Sequence, residues 1–270
     1  MELVKKFIFS WGKFAATAVL GWIVFWIFKR KTIVVIVSTY RSGSTLLKAL
    51  LGQAEDVSHL PEIFFSGGHW SRRFPRLYAY SCYFQAYRAS AHRIVVFKKP
   101  LGPNHLKKGV NHFENLPRLS LRIIIMVRRP GDVISSIQKI PAEVGPGSFS
   151  RSELYEYLFH YYQFTNRLIQ DTDYFFTTVS YEELVAKPIE VTSALFSFIG
   201  SKHQKGVSDY QQDPGVLWTW GTDDGGALIR KMKVDSQSQK SVPGQNYLDL
   251  VRTSKTSRQF AQKIEKLFEV

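Results

Sequence analysis

Apolar positions in this chain gather into short unbroken runs, at 34–37, 94–97 and 123–127, and each run stops at a turn of basic or small polar residues. A half-exposed strand would alternate apolar with polar side chains, whereas unbroken runs suit strands covered on both faces of a parallel sheet. This pattern predicts strands near 32–38, 93–97, 121–127 and 174–179. Between them the period becomes helical: at 44–53, across the aromatic segment 70–90, briefly near 104–114, after the strand at 121–127, and at 150–170. Ser150 followed three residues later by Glu153 marks the start of that last helix as a capping box. A further helical period covers 257–268. Strands alternating with helices predict an α/β domain, a P-loop-like parallel sheet covered by helices on both faces. Ligands of such sheets collect at the carboxyl ends of the strands.

Residues 7–28 stand apart from this alternation. Positions 14–28 are uncharged and mostly apolar, the apolar character reaches back to Phe7 across Lys13, and Lys29, Arg30 and Lys31 close the segment. With Lys13 snorkelling, this reads as an N-terminal membrane-anchor helix. It has no small-residue cleavage pattern near its end, which favours an uncleaved anchor. The expected organisation is an anchor with basic flanks at 1–31 and one domain at 32–270, since no repeat or low-complexity tract divides the rest. Lys5, Lys6 and Lys13 balance Lys29, Arg30 and Lys31, so charge sets no orientation.

The formal net charge of +14 favours anionic partners. Nucleotides, acidic glycans and lipid head groups qualify; no nucleic-acid-binding motif is present, and nucleic acid is not an expected partner. Cys82 is the only cysteine, which rules out an intrachain disulfide, and no N-x-[ST] sequon occurs. No His, Cys and Asp cluster has metal-ligand spacing, so no metal is expected.

Candidate chemistry lies at the ends of the apolar runs. After the first run, Ser38-Thr39-Tyr40-Arg41-Ser42-Gly43-Ser44-Thr45 is a small-residue turn opening a helix. Successive backbone N–H groups, the positive helix end and the hydroxyls of Ser42, Ser44 and Thr45 together outline an anion cradle, with Arg41 at its rim. The turn lacks the G-x-x-x-x-G-K-[ST] of nucleotide triphosphatases: Ser38 rather than Gly lies five residues before Gly43, and Ser44 stands where the Lys would be. A kinase or GTPase loop is therefore disfavoured. After the third run, Arg128-Arg129-Pro130-Gly131-Asp132 leads into a second helix that carries Ser136 eight residues beyond Arg128. Guanidinium suits such a position because it binds phosphate in a bidentate fork. The second run ends in Lys98-Lys99-Pro100.

The string T-Y-R-S-G-S-T-L-L resembles the 5′-phosphosulfate loop of sulfotransferases that use 3′-phosphoadenosine 5′-phosphosulfate (PAPS), particularly their Golgi branch. Its extension over 41–51 is similar to the R-S-G-[ST]-T-L-x-[KR]-A-x-L of tyrosylprotein sulfotransferases. The resemblance covers roughly residues 33–200, strongest at the two phosphate motifs. It implies that Arg41, Ser42, Gly43, Ser44 and Thr45 bind the 5′-phosphosulfate, that Arg128 and Ser136 hold the 3′-phosphate, and that Lys98 reaches toward the sulfuryl group. It further implies Glu62 as the catalytic base, since that family and the carbohydrate enzymes both place a Glu at this distance beyond the Arg. His59 and His69 are the competing bases. Ser180-Tyr181-Glu182-Glu183-Leu184 resembles a late family segment, with Tyr181 near the nucleotide and a helix start packed on the sheet as the simpler role. In the family a basic loop closes over the nucleotide, here within 221–244, where Arg230, Lys231, Lys233, Ser236 and Lys240 are candidates. A type II orientation facing the Golgi lumen is implied as well.

The chemistry expected is in-line sulfuryl transfer from PAPS to a carbohydrate hydroxyl on a glycan or glycolipid. Arg41 with Lys98 would stabilise the leaving oxygen, and Glu62 would take the acceptor proton. A tyrosine acceptor in a secreted protein is the nearest alternative, followed by a non-catalytic nucleotide-binding membrane protein and a nucleotide kinase.

Overall fold

A computed structural model describes residues 2–27, 31–59, 74–102, 106, 120–140, 149–171, 173–211, 234 and 244–268. Glu62 and His69, most of the segment near 104–114, and Arg230, Lys231, Lys233, Ser236 and Lys240 lie outside the described residues.

Five strands, β1 (Thr32–Ser38), β2 (Val57–His59), β3 (Ile94–Pro100), β4 (Leu121–Val127) and β5 (Phe176–Ser180), form one sheet in the order β2-β3-β1-β4-β5. Every pairing is parallel. In register, Ser38 at the end of β1 lies between Pro100 of β3 and Met126 of β4, so the three motif-bearing turns leave the sheet side by side.

Side chains on the central strands alternate between two cores. Ile33, Val35 and Val37 face one layer with Val95, Phe97, Ile123 and Ile125, while Val34 and Ile36 face the other with Ile94, Val96, Ile124 and Met126. All thirteen are fully or nearly fully buried, which explains the unbroken apolar runs. The first layer is covered by α1 (Glu2–Ile27), α3 (Pro75–Ala89), α4 (Pro130–Gln138), α5 (Arg151–Gln170), α8 (Gly244–Thr253) and α9 (Ser257–Phe268). The second is covered by α2 (Ser44–Leu51), α6 (Tyr181–Ala186) and α7 (Pro188–Ile199). The sheet is thus parallel and helix-covered on both faces, as expected.

Boundaries differ from expectation in three places. β3 runs on through Lys98 and Lys99 to Pro100, because both Lys continue the ladder with β1. β2, three residues at the sheet edge, was not anticipated, being too short for periodicity to register. β5 begins at Phe176 rather than at Tyr174, which sits in a turn closed by its N–H on the Asp171 carbonyl. The capping box of α5 forms as predicted, the Ser150 hydroxyl accepting from the Glu153 amide while the Glu153 carboxylate accepts from the Ser150 amide.

The expected membrane anchor at 7–28 is not supported. Among the described residues no helix is long and apolar enough to cross a membrane. The helix is present, but it is packed along α3: a Cβ on Gly21 would lie 1.9 Å from the Tyr80 carbonyl oxygen, so the two backbones approach at a distance only glycine permits. Thr17 and Ser81 share a 2.7 Å hydrogen bond across the contact, and Phe25 meets Tyr83 edge to face at 5.4 Å. Lys31, read as part of a basic membrane flank, is buried; its ammonium donates to the carbonyls of Ser90 and His92 at the end of α3. Val19, Leu20, Trp22 and Trp26 remain exposed on the opposite side.

Candidate active site

The turn after β1 has the backbone its composition suggests. Arg41 adopts φ 61°, among the described residues the one non-glycine with positive φ, and Gly43 follows at φ 89°. Two left-handed residues in so short a span turn the chain sharply into α2, whose start carries no capping side chain. Ser42 is buried and its hydroxyl donates to the Thr39 carbonyl at 2.9 Å, so it closes the turn from inside. Tyr181 lies against Gly43, where a Cβ would come within 2.3 Å of its ring.

The predicted residues converge. Lys98, at the end of β3, donates to the Thr45 hydroxyl at 2.6 Å. Arg41 donates through Nε to the Ser136 hydroxyl at 2.9 Å, which joins the first turn to the first helix after β4. Arg128 donates through Nη1 to the Arg41 carbonyl at 2.8 Å and lies over the Tyr181 ring at 4.4 Å. Arg41, Arg128, Ser136, Tyr181, Gly43, Lys98 and Thr45 thus form one connected group at the carboxyl edge of the sheet. Ser44 starts α2 within it. His59 falls elsewhere: its ring packs on Gly52 beyond α2, at the position a Cβ there would occupy.

Three hydroxyls on α5 support the strand ends. Tyr157 accepts from the Tyr40 amide at 2.9 Å and donates to the Leu101 carbonyl at 2.7 Å. Tyr161 donates to the carbonyls of Met126 at 2.8 Å and Val37 at 3.1 Å, and Tyr162 to that of Arg128 at 3.1 Å. Burial holds all three phenols well above their ordinary range, so they stay neutral donors. Glu182 is also buried, and one of its oxygens accepts from the Arg129 amide at 2.8 Å. Desolvation raises its carboxyl above the usual carboxylate range, opposed by that amide and by the charges of Arg129 and Arg128. Sequence reading missed the α5 tyrosines as functional supports; the available signal was phenols at 157, 161 and 162 on the core face of a capped helix.

Residues 34–205 match the model of the Sulfotransferase family. The chain belongs to the sulfotransferase family. It is accordingly a PAPS-dependent sulfotransferase. Among solved structures, the sulfotransferase domain from the curacin biosynthetic pathway is similar with a TM-score of 0.56 at 19% identity, over 88% of this chain and 99% of that one. The mouse sulfotransferase SULT7A1 complexed with PAP gives 0.47 at 17% identity, over 87% and 90%. A retinol dehydratase in complex with androsterone and PAP gives 0.42 at 12%, over 92% and 84%. No protein of curated function matches the chain in sequence. The first of these likenesses supports the fold alone.

Proposed function

We propose that this sulfotransferase transfers the sulfuryl group of PAPS to a hydroxyl of a carbohydrate acceptor. The observation that carries the donor site is the Arg41 bridge, which touches Ser136 with its side chain and Arg128 with its carbonyl. A donor with phosphates at both ends of its ribose needs two anion sites held at a fixed separation, and this bridge connects two. The residues fit such a donor on a second count: Arg128 Nε is buried with no hydrogen-bond partner among the described residues, a donor left for an incoming anion.

PAPS supplies an activated sulfuryl group and departs as adenosine 3′,5′-bisphosphate. Within the chain, Arg128 and Ser136 hold the 3′-phosphate, while the 39–45 turn with Lys98 binds the 5′ side. Arg41 releases Ser136 to reach the oxygen on which charge develops. Tyr181 keeps Arg128 and Gly43 in place. Glu62, assigned from its spacing beyond Arg41, takes the proton of the acceptor hydroxyl.

The carbohydrate acceptor rests on the Golgi-type R-S-G-S-T loop and on a formal net charge of +14, which suits acidic glycans. The same loop carries the proposal of a Golgi-lumen location, tested by localising a tagged full chain. A tyrosine acceptor is the second reading, favoured by the Arg41 to Glu62 spacing. Radiolabelled PAPS offered with sulfated and unsulfated glycans and with acidic tyrosine peptides separates them: labelled glycan supports the proposal, and label on peptide alone replaces it. Glu62→Gln should abolish transfer while leaving nucleotide binding largely intact, and full activity would remove Glu62 as the base.

A further inference from the structure

We propose that Glu182 is the positioning residue of the 3′-phosphate site, fixing the turn that presents Arg128 without itself touching the nucleotide. This inference rests on the donor site proposed above. Arg128 and Arg129 are consecutive cations at the end of β4, and the α4 helix that follows has no side-chain cap on Arg129. Without a support, their turn would have an unheld backbone and two repelling charges. Glu182, with no exposed surface, supplies the support: Oε1 accepts the Arg129 amide at 2.8 Å, and Oε2 has no hydrogen-bond partner among the described residues. The charges of Arg129 and Arg128 both bear on this carboxyl, and Tyr162 and Tyr247 adjoin it.

The local chain makes this placement specific. Ser180 caps α6 by accepting the Glu183 amide at 3.0 Å, which sets Tyr181 and Glu182 in the first turn. From that one turn, Tyr181 stacks under Arg128 and Glu182 holds the next residue's amide. Arg128 is held on the other side by Tyr162, which donates to its carbonyl. The guanidinium is therefore set before any ligand arrives, and binding need not order it. Glu182 acts through the hydrogen bond it accepts.

The test measures the affinities of adenosine 3′,5′-bisphosphate and AMP for the full chain and for Glu182→Ala and Glu182→Gln, with thermal unfolding as the check of folding. Alanine removes the acceptor and should cut the preference for the 3′-phosphorylated nucleotide about tenfold or more, with AMP affinity changed less than about threefold. Glutamine keeps an acceptor oxygen and should hold the preference within about threefold of the parent. Should the alanine variant not fold, Glu182→Asp, which withdraws the acceptor by one methylene, carries the same expectation as alanine. An undiminished preference in the alanine or aspartate variant would overturn the role. So would equal loss for both nucleotides, which marks a merely structural residue, or a glutamine variant that falls as far as alanine. A parent chain that does not prefer the 3′-phosphorylated nucleotide would instead defeat the donor-site proposal itself.

Discussion

Replacing Gly43 with alanine probes the junction on which the site depends. The residue has φ 89°, where an L side chain costs about 1–2 kcal/mol. The added Cβ would also lie 2.3 Å and 2.7 Å from Cδ2 and Cε2 of Tyr181. Ordinary carbon contacts begin near 3.5 Å, so the ring must retreat by roughly 1 Å. Arg128 lies over that ring at 4.4 Å, an interaction of about 0.5–2 kcal/mol that the retreat weakens. Together these give about 2–3 kcal/mol, which for a chain of this size lowers Tm by roughly 4–10 °C. Calorimetry or thermal fluorescence measures this directly. A double-mutant cycle with Tyr181→Ala separates the terms: once the ring is gone only the backbone strain remains, so the two changes should couple by about 1 kcal/mol. A Gly43→Ala variant that melts within 1 °C of the parent, or a cycle that is strictly additive, would refute the reasoning.

Other outcomes follow from the same contacts. Arg128→Ala should weaken adenosine 3′,5′-bisphosphate binding about 10- to 100-fold with little effect on AMP, measured by calorimetric titration. Tyr161→Phe deprives two buried carbonyls of their donor and should cost about 1–3 kcal/mol in denaturant unfolding, whereas no loss would show that these carbonyls find other partners. Burial raises the folded-state pKa of Tyr157, Tyr161, Tyr162 and Tyr247 above the unfolded value near 10. Their stabilisation is complete below that value and lost progressively as pH rises beyond it, so Tm should fall continuously as pH is raised above about 10. Cys82 is buried and its thiol is pushed up to about 12, so the native chain should resist maleimide at neutral pH and react only on unfolding.

The sheet and the convergence of its two basic and small-residue turns were legible because each depends on local chemistry. Unbroken apolar runs require cover on both faces, and a turn of Ser, Gly and Thr after such a run has few other uses. The spacing from Arg128 to Ser136 placed both residues on one strand-to-helix junction, and in the fold Arg41 reaches across to that Ser136. What stayed hidden depends on contacts between distant segments. Nothing around Tyr161 signals that its hydroxyl meets the carbonyls of Val37 and Met126, and nothing around Glu182 signals Arg129. The apolar leader has the composition of a membrane anchor, yet among the described residues no helix is long and apolar enough to cross a membrane, and this one packs on α3 where Gly21 meets Tyr80.

The central claim is that the linked turns of Arg41 and Arg128 form one site for a doubly phosphorylated sulfuryl donor. Titration of the full chain with adenosine 3′,5′-bisphosphate, ADP and AMP under identical salt tests it most directly. The account predicts binding of the 3′-phosphorylated nucleotide about 100-fold tighter than either of the others, a difference of about 2.8 kcal/mol from charge-assisted hydrogen bonds. Equal affinities for the three would contradict it.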